Sequence, residues 1–129
     1  MKFLSYRLGM LLFLALVTAC SDSQSWRAPE QPWQDLGIHV ETRPSPAQVG
    51  MNEFLVMANR QQKGFTSDLI VHIRTDVSDW KQAIPDGALG VYRRALPVEN
   101  VQENRLYVRL ERKGEMGELT FALAPDSMQ

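Results

Sequence analysis

Two histidines, His39 and His72, six methionines and one cysteine, Cys20, supply all the soft or borderline donor atoms in this 129-residue chain. Thioether sulfur suits Cu(I), and imidazole takes copper in either oxidation state. Beyond residue 36 the donors are His39, His72, Met51, Met57, Met116 and Met128, and none forms an HxxM, MxxM or HxH cluster. Met51 and Met57 stand six residues apart, which is ~20 Å along a strand rising ~3.3 Å per residue. His72 and Met57 are therefore weak metal candidates, set against the ordinary roles of methionine as core filler and histidine as a surface residue. Hydrolytic chemistry has less to work with. The chain contains no Gly-x-Ser-x-Gly, no His-Glu-x-x-His and no P-loop. Glu111, Glu115 and Glu118 gather around a Gly-containing turn, where a solvated face is the usual outcome. The expectation is a protein that is not an enzyme.

Cationic and aromatic residues offer a second kind of chemistry. Arg93 and Arg94 come together with Arg105 and Arg109, beside Tyr92 and Tyr107, if the two strands that carry them pair. Such a strip suits an anionic protein surface or lipid headgroups. The plainer reading is an exposed sheet face with cross-strand pairs to Glu99, Glu103 and Glu111, worth ~0.2–1 kcal/mol each. If Leu89 and Val91 face the core, Arg93 shares their side and needs a carboxylate, for which Asp86 and Asp76 are the candidates. With 14 basic against 15 acidic residues and a net charge of −1, nothing marks a nucleic-acid binder.

The N-terminus reads as an address. Lys2 and Arg7 precede an uncharged apolar run from Leu8 to Val17. Ten residues are too few for a ~30 Å hydrocarbon core, which takes about 20 helical residues, but they suit a signal peptide. The run closes on Val17-Thr18-Ala19-Cys20, followed by polar Ser21-Asp22-Ser23-Gln24-Ser25. This resembles a bacterial lipobox, which implies cleavage of residues 1–19 and lipidation of Cys20. Ser21 after the cysteine implies, by the same resemblance, the outer rather than the inner membrane. Without the leader, 12 basic and 15 acidic residues remain, a net charge of −3. Residues 20–36 are expected to form a lipidated tether, with Trp26 and Trp33 packing on the domain edge or resting at headgroup level.

From residue 37 to 125 the apolar period is 2, interrupted by turn residues. Ile38 and Val40 alternate with His39 and Glu41, Phe54 to Ala58 is a continuous apolar run, and Leu69 to Ile73 is β-branched. Gly64 sits in a polar hairpin loop, and Pro85-Asp86-Gly87 marks a turn before the strand from Leu89 to Leu96. Leu106, Val108 and Leu110 share one face, while Arg105, Tyr107, Arg109 and Glu111 share the other. Lys113 to Gly117 is expected to turn the chain into a last strand carrying Leu119, Phe121 and Leu123. The only helical opening is near Ser78 to Ala83. Six to seven strands make an all-β, antiparallel β-sandwich, with a closed barrel as the alternative architecture.

Pro46-Ala47-Gln48-Val49-Gly50 followed by an apolar strand and a Gly64-containing loop, then Asp86-Gly87-Ala88-Leu89-Gly90-Val91-Tyr92 and a strand pair divided by a Gly turn, resembles the YtkA-like and FixH-like periplasmic domains. The resemblance implies an immunoglobulin-like sandwich in an exported protein, linked to copper handling or respiratory oxidase assembly. Two readings follow: a lipid-anchored accessory or binding module for an envelope protein complex, and a copper-binding assembly factor. Replacing Cys20 with Ser is expected to yield a soluble or uncleaved species on membrane fractionation. Processing and membrane retention of that variant would refute the lipoprotein assignment.

Overall fold

The computed structural model describes residues 26–60, 64–65 and 68–126, the pair 64–65 through its backbone only. The leader, Cys20 and Met128 lie outside these residues. Every regular element described is a strand: β1 (Gln31–Trp33), β2 (Leu36–Arg43), β3 (Gly50–Arg60), β4 (Gly64–Phe65), β5 (Ile70–Thr75), β6 (Lys81–Pro85), β7 (Val91–Val98), β8 (Arg105–Arg112) and β9 (Glu115–Ala122). The hydrogen-bonded path runs β1-β2-β3-β7-β6-β5-β8-β9, with β4 beside β3. All pairings are antiparallel. The protein is an all-β sandwich whose two layers are joined through β6, giving it a nearly closed, barrel-like form.

Alternation decides which residues fill the interior. Leu106, Val108 and Leu110 of β8 are fully buried and meet Val71 and Ile73 of β5, Phe54, Val56 and Ala58 of β3, Ile38 of β2, Leu96 of β7 and Phe121 of β9 in one core. Each Leu, Val, Ile or Phe among them contributes ~1.5–3 kcal/mol when wholly removed from water. Thr75, also buried, donates its hydroxyl to the Pro97 carbonyl at 2.7 Å and so ties β5 to β7.

Between the path's two ends, side chains rather than a ladder close the gap. The indole of Trp33 lies on Gly117 so closely that a Cβ there would overlap it, a close approach that only glycine permits. Gln31 donates to the Thr120 carbonyl at 2.6 Å, and Gln34 hydrogen-bonds Glu115.

Several expectations need correction. The stretch expected to be tether already contains β1, with Trp33 and Ala28 packed on the core and Leu36 inside it. A three-residue strand without alternation leaves no periodic signal. The Ser78 to Ala83 opening is no helix: Lys81 starts β6, in which only Ala83 is buried. The hairpin between β8 and β9 turns on Lys113 and Gly114 alone, at φ 52° and 80°, the two positive values of a type I′ turn. Glu115, Met116 and Gly117 therefore belong to β9. In β7 the phase is reversed: Tyr92, Leu96 and Val98 are buried and Leu89 is 65% exposed, so Arg93 faces outward. The described residues hold nine strands against the six or seven expected.

One end of the sandwich is held by a buried cation. Arg112, with its side chain 7% exposed, donates Nε to Asp68 at 3.0 Å and Nη1 to Asp35 at 2.5 Å, while Arg60 approaches Asp35 at 3.6 Å. These contacts pin the end of β8 to the β1–β2 turn and the segment before β5. Hydrogen bonds to Asp68 and Asp35 raise the Arg112 pKa. The Arg112 N–H bond holds the Asp35 carboxyl below the usual carboxylate range. A depressed carboxyl stabilises the fold above its unfolded pKa, and that contribution fades as pH falls through the folded value. Arg112→Ala removes two charge-assisted hydrogen bonds but leaves both carboxylates accessible to water, and is expected to lower the unfolding free energy by ~1.5–3 kcal/mol at neutral pH. It should also flatten the acid-side decline, and urea titrations between neutral pH and pH ~3 check both.

Candidate functional site

The outer face of the β5–β8 layer carries the most organised polar chemistry in the fold. Register places Arg74 opposite Tyr107 and His72 opposite Arg109, and Gln82 of β6 opposite His72. Trp80, immediately before β6, reaches over this face. The Arg74 guanidinium carbon lies 4.1 Å from the Tyr107 ring centre and 5.2 Å from that of Trp80. Arg109 lies 4.1 Å from the Trp80 ring centre on the same face. Tyr107, Arg74, Trp80 and Arg109 thus form an alternating ladder of rings and cations.

Polar contacts fix the ladder's frame. Ser78 Oγ accepts from the Thr75 amide at 2.9 Å, which shapes the turn leading to Trp80. Asp76 accepts the Arg105 amide at 2.9 Å and the Tyr107 hydroxyl at 3.5 Å. Arg74 donates to the Thr75 carbonyl at 3.3 Å and has no carboxylate partner among the described residues. Arg109 has one loose ion pair, with Glu118 at 3.6 Å. A guanidinium lying over aromatic rings gains ~0.5–1 kcal/mol at an exposed site. Its planar fork is pre-organised, so less entropy is lost when it bonds a carboxylate or phosphate. The arrangement can therefore grip an anionic group without first ordering its own side chains.

Of the six cationic and aromatic residues singled out in the sequence, Arg105, Tyr107 and Arg109 share the outward side of β8. β7 and β8 do not pair; β7 lies between β3 and β6, and β8 between β5 and β9. The expected strip of Arg93, Arg94, Arg105 and Arg109 therefore does not form. Tyr92 is buried at 3% exposure. Burial raises its phenol pKa, partly offset by the Leu69 amide hydrogen bond. Arg93 is taken up by Glu53, at 3.0 Å, and by Asp86, while Asp76 serves Arg105 and Tyr107 instead. Arg94 shares the inward phase of Tyr92 and Leu96 and is half-buried opposite Phe54. Arg74 and Trp80 carry no signal of this role in the sequence, since the β5–β8 register brings Arg74 to Tyr107 and the turn before β6 brings Trp80 over both arginines.

The weak metal candidates are separated: Met57 lies on the outside of the β2–β3–β7 layer and His72 on the outside of the β5–β8 layer. Met57 instead faces His39 across the β2–β3 ladder. Among the described residues the buried His39 Nδ1 has no hydrogen-bond partner, with Glu30 at 3.9 Å. Among the described residues no group of three or more His, Cys, Asp or Glu is arranged to hold a metal ion. No protein-family model, curated protein or solved structure matches the chain.

A double-mutant cycle on Arg74→Ala and Trp80→Ala, read by urea unfolding, is expected to return ~0.5–1 kcal/mol of coupling. Additive single effects would show that the stack contributes nothing.

Proposed function

We propose that the chain is a lipid-anchored, non-enzymatic accessory module of the bacterial envelope that grips a carboxylate-rich surface of a partner protein with its Arg74–Trp80–Arg109–Tyr107 face. The lipobox pattern around Cys20 supports the anchor, and Ser21 favours the outer membrane. The observation that carries the binding role is Arg74, stacked between two rings with no carboxylate of its own among the described residues. An arginine serving only the fold would be expected to resemble Arg112 or Arg93, each held by two carboxylates.

A copper-binding role in oxidase assembly is the second reading, and the His39–Met57 pair is the observation in its favour. Imidazole and thioether are both acceptable to Cu(I), and two opposed side chains offer a minimal pair of donors. Titration of the purified domain with Cu(I) and Cu(II) tests it. Binding no tighter than micromolar, or unchanged by His39→Ala, discards it.

The lead reading is tested by a photo-crosslinking side chain at Gln82, which is exposed and borders the ladder. In native membranes it is expected to capture a defined partner, with at least ~10-fold loss in an Arg74→Gln, Arg109→Gln variant, as removal of charge-assisted contacts worth ~1.5–3 kcal/mol each implies. Equal capture by the variant would refute the assignment of this face.

A further inference from the structure

Trp26, the first described residue, stands at one corner of the sandwich. It shares a cleft with Ala28, Arg43, Ser45, Ala122 and Leu123, placing the chain's entry where β2 leaves for the β2–β3 connection. That connection returns through Val49, 71% exposed, and Met51, 64% exposed, while Gly50 and Met51 pair with Val98 and Pro97 at the same end of β7. Asn52, itself buried, holds the loop: it accepts the Gln48 amide at 2.9 Å and donates to the carbonyls of Gln48 at 2.6 Å and Gly50 at 3.1 Å. Val49 is therefore presented on a braced loop and Met51 at the start of β3 beside it. Arg27 is paired with Glu41 at 2.8 Å, whereas Arg43 has no ion pair among the described residues.

Tether length decides what this corner meets. Cys20 precedes Trp26 by six residues, which span at most ~20 Å even when fully extended. The headgroup region on each side of a bilayer is ~5–8 Å thick. An acylated Cys20 therefore keeps the Trp26 corner within reach of the membrane surface. An amphipathic Trp, two exposed apolar side chains and an unpaired Arg match the apolar boundary and anionic lipid phosphates found there. We propose that the Trp26–Arg43–Val49–Met51 corner rests on the lipid headgroup layer and sets the orientation of the domain on its membrane. This inference depends on the lipid anchor proposed above but not on the protein partner.

Leu89 provides the internal reference. It is 65% exposed and lies beyond the other end of the β3–β7 pair, where Met57 meets Val91. Six residues of β3 separate Met51 from Met57, a rise of ~20 Å. Once Cys20 is acylated, Met51→Cys or Leu89→Cys supplies the only free thiol in the chain. Each lipidated variant, spin-labelled and reconstituted into phosphatidylethanolamine–phosphatidylglycerol vesicles, is probed with membrane-partitioning oxygen and a water-soluble nickel chelate. The oxygen-to-nickel accessibility ratio is expected to be at least ~5-fold higher at position 51 than at 89, and to fall toward the latter in a Val49→Ser, Arg43→Gln background. Equal ratios at 51 and 89, with Cys20 acylated by mass spectrometry, would overturn the docking alone. An unmodified Cys20 in membrane-derived protein would overturn the anchor, and the docking with it.

Discussion

β6 is the constraint on which the fold and its outer face both depend. In five residues it hydrogen-bonds β5 through Lys81, Gln82 and Ala83 and β7 through Ile84 and Pro85. A strand shared in this way carries the hydrogen-bond ladder around the corner between two layers. It also fixes each layer's register against the other, because a one-residue slip would turn every core side chain outward. Only Ala83 of this strand is buried, so β6 owes its place to backbone pairing and to the turn before it rather than to its own hydrophobicity. Trp80 sits at the end of that same turn, immediately before β6. The geometry that closes the fold therefore delivers the indole to Arg74 and Arg109.

Buried and exposed arginines do different work in this protein. Arg112 is desolvated and hydrogen-bonded by Asp35 and Asp68, and losing one partner of such a group leaves a buried charge uncompensated. Arg93 bridges Glu53 and Asp86 on the opposite layer. Both hold elements together. Arg74 and Arg109 lie over aromatic rings instead, where the attraction is weaker and the guanidinium edges stay near solvent. That contrast, rather than the chain's net charge of −1, is what motivates the binding role proposed for this face.

The strong alternations were legible in the sequence. Leu106, Val108 and Leu110 could be assigned to the interior because three apolar residues at period 2 admit one phase. The β7 segment could not be read with equal certainty, because Leu89, Val91, Tyr92 and Leu96 place apolar residues on both phases. The structure begins the strand after Gly90, at φ 77°, and so puts Tyr92 inside. Short strands escaped for another reason: three and five residues are too few to show a period, and β1 and β6 take their place from backbone pairing with β2, β5 and β7. The same holds for the site. Tyr107 and Arg109 were visible as the outward side of β8, but Arg74 and Trp80 become their partners only through a β5–β8 pairing that spans more than 30 residues, as His72 with Arg109 illustrates.

The two surfaces also constrain each other. Arg105 pairs with Ala122 at the β8–β9 end, and Ala122 lines the cleft that holds Trp26. In the proposed pose the Tyr107–Arg74 end of the ladder is its membrane-near end, while Arg109 lies farther along β8 toward the Arg112 clasp. A domain seated on the Trp26 corner would present the ladder along its flank, rising from the headgroup layer. Such a pose favours a partner that is itself held at the membrane, because confinement to one surface raises the effective concentration of a second site. Modest cation–carboxylate contacts then suffice where free solution would demand far tighter ones.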